Sequence, residues 1–174
     1  MTLLTEILEK NEYHQFYTTY LDLVEFSDIP DLMIKDFESQ LEILENIPEE
    51  KFAYRYAEGK WSIADLIVHM CDCELVFDYR GQSFSRGDDT KLPGFEQDQW
   101  ASGSQAERLS KDELIGLFKT TRNHSIALFK CYSDEQLMMI GNANDVTMSV
   151  RAIGYIIVGH NRHHFNILKE RYLS

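Results

Sequence analysis

The chain reads as an all-α protein, a four-helix bundle forming one domain over residues 1–174. Three observations carry that reading. Apolar residues recur roughly every three to four positions in four separate stretches, the spacing of an amphipathic helix face. Serines followed three residues later by an acid or an amide mark where helices start. Only nine glycines and three prolines interrupt 174 residues that are 44% hydrophobic, and little alternates as a strand would. Four amphipathic helices are the parts of a bundle, and a chain this long can bury a core without staples.

From the N-terminus, Leu3 to Phe26 is helix-compatible but mixed in polarity. Ser27-Asp28-Ile29-Pro30 works as a stop and restart, because Pro suits the first turn of a new helix. Met33, Phe37, Leu41 and Leu44 then step at helical spacing to Ile47, and Pro48 ends the run. Ser62 and Asp65 resemble a capping box that opens a second helix from Ile63 towards Arg86. The connection 87–109, with Gly87-Asp88-Asp89 and Leu92-Pro93-Gly94, is long enough to be a lid, a binding loop or a crossover. We expect it to cross the bundle and cover part of one end. Ser110 and Glu113 cap a third helix, which runs through Leu114, Phe118 and Leu128 to about Tyr132. Ser133 and Gln136 cap a short helix that ends before Gly141, and Thr147 or Ser149 starts the last helix.

A formal charge of −12 would repel a phosphate backbone, which argues against nucleic-acid binding. No apolar run reaches the roughly 18 residues of a membrane span, and Thr2-Leu3-Leu4-Thr5-Glu6 follows no leader pattern. Cys71, Cys73 and Cys131 are odd in number and lack disulfide-framework spacing, so a reduced, cytoplasmic protein is expected.

The chemistry lies in the histidines. His160 and His164 are one turn apart in an apolar helical stretch, where one metal ion can reach both. With about 100° per residue, Ile153, Ile156, Ile157 and Ile167 fall within roughly 60° of His160. His164 sits in the middle of that stripe and His163 on its edge, so the pair is expected to point inward. A lone core histidine is usually just hydrogen-bonded. Two on one apolar stripe are harder to satisfy, because each unpartnered buried polar group costs about 2 kcal/mol or more. His69 lies on the second helix, sharing its face with Asp65, Asp72, Cys73, Val76 and Arg80. Asp72 or Cys73 is an extra ligand or an orienting partner on one reading, a polar flank or a buried filler on the other. Cys71 and Cys73 point roughly 200° apart and make no zinc knuckle. His14 and His124 read as ordinary surface residues.

Two segments resemble the signature of the DinB/YfiT-like superfamily. One is Tyr54 to Ile63 followed by His69, Asp72 and Glu74; the other is Val146 to Ala152 followed by Gly159 to His164. Leu92-Pro93-Gly94-Phe95 and Arg122 are also similar, and the likeness spans residues 30 to 172. The resemblance implies a four-helix bundle in up-down-down-up order, with the long crossover between helices 2 and 3. It also implies a divalent metal on three histidines, which fall here on His69, His160 and His164. Tyr56, Trp61, Arg80 and Arg122 stand at positions the pattern occupies. They read best as structural, the aromatics as staples and a buried arginine as the partner of a carboxylate such as Asp72 or Glu74.

Three neutral imidazoles leave a metal its full charge and an exchangeable position. Such a centre can acidify a water towards a pKa of about 7, or take up a thiol as its thiolate. The first leads to hydrolysis of a small-molecule substrate. The second leads to transfer or isomerisation with a low-molecular-weight thiol, and the resemblance implies bacillithiol- or mycothiol-type chemistry. Zinc or nickel is expected, and iron also suits imidazole ligands. His163 is the candidate proton shuttle, against a reading as a plain surface residue. Asp98, Gln99 and Trp100 are candidates for the mouth of the site. The alternative is a non-enzymatic metal-binding module for stress response or assembly. A homodimer suits either reading, though no interface stands out.

Overall fold

The computed structural model describes residues 4–174, so the expected start at Thr2 and Leu3 lies outside the described residues. The N-terminal stretch does not form one helix. It folds as α1 (Leu4–Ile7), a 3-10 turn at Gln15–Tyr17 and α2 (Thr18–Leu21). Long-range contacts override its helical tendency. Glu12 is buried and accepts hydrogen bonds from Ser149 Oγ and the Arg151 guanidinium, which pulls the segment onto the last helix. His14, expected to be an idle surface residue, caps the 3-10 turn through Nδ1, which accepts the Phe16 N–H at 3.2 Å.

The four long helices follow their caps. α3 (Ile29–Asn46) starts at Asp28, whose side chain accepts the Asp31 N–H, with Pro30 in the first turn. α4 (Ile63–Ser85) has the reciprocal Ser62–Asp65 box, with both hydrogen bonds made. The crossover contains a short α5 (Gln97–Gly103), and α6 (Lys111–Lys130) opens on the Ser110–Glu113 box. α7 (Asp134–Leu137) is capped by Ser133 as expected.

A hairpin then interrupts the all-helical pattern. β1 (Ile140–Ala143) and β2 (Val146–Ser149) pair antiparallel, with Ala143 opposite Val146. Asn144 and Asp145 turn the corner with φ of 54° and 60°, the left-handed pair a two-residue hairpin turn needs. Thr147 therefore belongs to a strand, and Ser149 alone caps α8 (Val150–Ile167). The crossover is tied to this hairpin: Leu92 N–H donates to Asn142 O, and Asn144 N–H to Leu92 O.

Side-chain pairings give the bundle its directions. Lys111 Nζ donates to the carbonyls of Glu45 and Ile47, so α6 begins where α3 ends and the two run antiparallel. Ser125 meets Glu74 while Tyr132 meets Gly81, so α6 and α4 run parallel. His69 faces His164 while Gly81 faces Ile153, so α8 runs against α4. α3 and α4 each pack on both α6 and α8. The consecutive helices α3 and α4 therefore sit on opposite corners, and the order along the chain is up-down-down-up.

The core divides in two. One apolar cluster gathers Met33, Phe84, Phe129 and Ile156, the other Leu44, Ile67, Phe118 and Phe165. Burying side chains of this size contributes about 1.5–3 kcal/mol each. Polar residues of α4, α6 and α8 lie between the clusters, among them all three expected metal ligands. Among the described residues, no helix is long and apolar enough to cross a membrane.

Candidate metal centre

His69 comes from α4, and His160 and His164 from successive turns of α8, where Ser149 sets the register that turns both inward. All three are buried. Their Nε2 atoms form a triangle: 3.2 Å from His69 to His164, 3.2 Å from His69 to His160 and 3.0 Å from His160 to His164. Among the described residues, these three form the group able to hold a metal ion.

The triangle itself tests whether a cation fits. A nitrogen of a neutral imidazole is either a donor or an acceptor. Three nitrogens at mutual hydrogen-bond distance cannot alternate, so one pair always sets like against like. Hydrogen bonds alone leave this buried cluster frustrated, at the cost of an unsatisfied polar group. A cation that takes all three lone pairs removes the conflict, and imidazole is a common ligand for such ions. Burial also keeps the rings neutral, so that each has one lone pair to offer. It pushes the His69 pKa down to about 4 and that of His164 to about 2, the latter helped by its neighbours. It holds His160 well below its ordinary value, again with help from the other imidazoles.

Of the two residues left open on the His69 face, the structure brings in one. Cys73 Sγ lies 3.7 Å from both ring nitrogens of His69, and burial pushes its thiol up to about 12. With no metal beside it, it is a neutral thiol, and it stands outside the group of three ligand atoms that lie close enough together to hold one ion. Asp72 faces a different cavity, with Val68, Gln99 and Trp100. Aromatic walls hold the imidazoles. The Trp61 ring lies 4.5 Å from that of His69, and the Tyr20 ring stands edge-on to His160 at 5.3 Å.

Tyr20 was not visible as a site residue in the sequence, because the N-terminal stretch carries no clear period. It arrives through Gly159. A Cβ at that position would sit 2.2 Å from the Tyr20 carbonyl oxygen, so only glycine lets α2 lie directly on α8 beside His160.

Beneath the triangle runs a buried polar network. Glu74 accepts from Ser125 Oγ at 2.6 Å and Asn161 Nδ2 at 3.1 Å, and pairs with Arg122 at 3.0 Å. Asp78 Oδ2 lies 2.7 Å from the same Ser125 hydroxyl, whose single proton the two carboxylates share, and 2.9 Å from His124 Nδ1, so His124 is no idle surface residue. Arg122 thus meets the expected carboxylate. Arg80 does not. It is just as buried, yet among the described residues no carboxylate lies within 4.0 Å of its guanidinium.

Two cavities reach the triangle from different sides. One of about 330 Å³ touches His164 and is lined by Tyr56, Lys60, Trp61, Asp98 and Tyr172. The other, of about 250 Å³, touches His160 and includes Tyr20, Cys73, Arg80 and Phe95. Of the three crossover residues expected at the mouth, Asp98 is there, close enough for its charge to act on His69. Gln99 and Trp100 face the Asp72 cavity instead. His163 is half-buried against the rings of Tyr20 and His164 and lines neither cavity; burial lowers its pKa. A larger cavity, about 700 Å³ around Phe26, Tyr132 and Tyr155, shares no residue with the triangle.

Comparison with known proteins places this geometry. The sequence model of the DinB superfamily matches residues 36–168. YfiT from Bacillus subtilis, described as a probable metal-dependent hydrolase with an unusual four-helix bundle topology, superposes with a TM-score of 0.69. It is 14% identical, over 84% of this chain and 87% of that one. A DinB-like protein of Bacillus subtilis, YjoA, gives 0.60 at 20% identity, over 82% and 87% of the two chains. No curated protein matches the sequence.

Proposed function

Because the chain belongs to the DinB superfamily, we propose that it is a metal-dependent enzyme acting on a small molecule, with the metal held by His69, His160 and His164. The observation that carries the proposal is the triangle of three Nε2 atoms, which hydrogen bonds cannot satisfy and a divalent ion can. Bound there, zinc, nickel or iron would supply a Lewis acid able to polarise a carbonyl or to acidify a water or a thiol.

The protein's own residues do the rest. Trp61 and Tyr20 pack against the imidazoles of His69 and His160 and hold their rings in place. Asp98 faces the cavity beside His164, where its carboxylate is the acid group of the lining. His163, next to the pair and partly exposed, passes protons to solvent. Burial lowers its pKa, which favours release of a proton it has taken up.

Hydrolysis, the activity given for YfiT, needs one substrate and water. Transfer to a low-molecular-weight thiol needs two reactants. The two cavities that meet at the triangle favour the second variant, since each can seat one partner. A purely structural role fits less well, because structural zinc is normally closed by four protein ligands. The free cysteines suit a reducing, cytoplasmic setting.

The test is to strip the metal by chelation and restore zinc, nickel or ferrous iron one at a time. Turnover of activated esters and of thiol-plus-electrophile pairs is then followed. Activity that vanishes on stripping and returns with one metal is expected, as is its loss in Asp98→Asn. Full activity in the stripped protein overturns the proposal, and stability lost with no activity under any metal favours the non-enzymatic module.

A further inference from the structure

Arg80 is a buried cation without a counter-ion. The residue is 4% exposed, and its guanidinium meets only neutral partners: Nη2 donates to the Pro93 carbonyl at 3.1 Å, and the Tyr17 hydroxyl is a second hydrogen-bond partner, which leaves donors of the five free. Its Nε is buried with no partner at all. The other buried arginine, Arg122, has Glu74, and the half-buried Arg151 and Arg162 have Glu12 and the Glu25–Asp36 pair. Taking an uncompensated charge out of water costs several kcal/mol, so a fold that keeps one has a use for it.

The guanidinium lines the cavity that ends on His160. His69, Cys73 and Arg80 lie along one face of α4, with Arg80 about 16 Å up the axis from His69 by helical rise. Side chains on a helix lean towards its N-terminus, which aims Arg80 back towards the histidines. Between the two ends the walls are mostly aromatic: Tyr17, Tyr20, Phe77 and Phe95. The Phe77 ring supports the guanidinium at 5.5 Å, and the Tyr17 phenol lies beside it. The one acid on this cavity, Glu96, is exposed at its rim.

We propose that this cavity is the subsite for the carboxylate of a small organic acid, anchored by Arg80, with the acid's reactive part directed at the three-histidine centre. A planar guanidinium with free donors matches the two oxygens of a carboxylate. Aromatic walls require an organic body, which inorganic phosphate lacks. The volume, about 250 Å³, is roughly eight waters' worth of space and limits the ligand to a small metabolite. With a net charge of −12 overall, the chain repels anions, so a local cation is needed to select one. The assignment deepens the proposed function; it rests on that reading for where the reactive group goes, and not for anion binding.

The probe is benzoate, set against its neutral isostere benzamide and against inorganic phosphate, in calorimetric titrations of the whole chain. Wild type is expected to bind benzoate at least tenfold more tightly than benzamide. Arg80→Gln should lose at least tenfold for benzoate, with metal content per chain unchanged. Should Arg80→Gln not fold, Arg80→Lys carries the same test, since a point charge without the planar fork is expected to weaken benzoate by about tenfold. Equal binding of benzoate and benzamide, or a variant as tight as wild type, overturns the proposal, as does phosphate binding more tightly than benzoate. Benzoate bound through Arg80 in a protein that takes up no metal would sink the metal reading and leave this site standing. Metal bound with no benzoate preference would do the reverse.

Discussion

Gly159→Ala puts the close approach of α2 to α8 to a direct test. The added methyl would lie 2.2 Å from the Tyr20 carbonyl oxygen and 2.6 Å from its carbon. Carbon and oxygen normally stay about 3.3 Å or more apart, so α2 must retreat by about 1 Å. The obstacle is backbone, and no rotamer change relieves it. Overpacking of this kind costs about 1–3 kcal/mol, against a gain of up to about 1 kcal/mol from replacing glycine within a helix. The net expectation is a loss of about 1–2 kcal/mol in urea unfolding, with slope unchanged. Gly116→Ala is the control. It sits inside α6, where an added methyl would meet nothing within 4 Å, so the same exchange should stabilise by about 0.5–1 kcal/mol. The two variants should move in opposite directions. If Gly159→Ala stabilised as much as Gly116→Ala, the close approach that holds Tyr20 against His160 would be refuted.

Burial raises the Asp78 pKa to about 6, with nearby Glu74 adding to the shift and Ser125 and His124 opposing it. The folded state thus holds that proton more tightly than the unfolded one, and this contribution is present below about pH 4 and lost as pH rises through 6. Relative to wild type, Asp78→Asn should gain stability across that window, by an amount on the order of 3 kcal/mol, and the gap should be flat from pH 7 to 8 in pH-resolved unfolding. Glu74→Leu leaves Arg122 buried and unpaired, and should cost about 3–5 kcal/mol. Adding Arg122→Leu should cost much less than the sum of the single changes, which a double-mutant cycle reads directly.

Most of the helical frame was legible because its signals are local. Ser62–Asp65, Ser110–Glu113 and Ser133–Gln136 announce helix starts whatever lies around them, and each pair forms its box. The hairpin was not legible. Four-residue strands such as Ile140-Gly141-Asn142-Ala143 are too short to show alternation, and Gly141 is held there by the Phe84 ring, which a Cβ would strike. The N-terminal stretch misled for the opposite reason: its helical tendency is real, but Glu12 and Tyr20 are claimed by partners more than 130 residues away.

At the site, the inward pair and His69 followed from periodicity and from the family resemblance. Asp98 could be suspected only because it lies in a long connection. Arg80 was on the right face of α4 in the sequence, but the carboxylate expected to meet it is missing. Only the packed structure shows which of the two buried arginines lacks a carboxylate partner.

The metal centre is tested most simply by metal content per chain, from elemental analysis of untagged protein, with wild type beside His69→Ala and His160→Ala. A three-histidine centre should hold close to one divalent ion per wild-type chain and almost none in either variant, both still folded by circular dichroism. A folded wild type that carries no metal and takes up none when offered zinc, nickel or ferrous iron would contradict it.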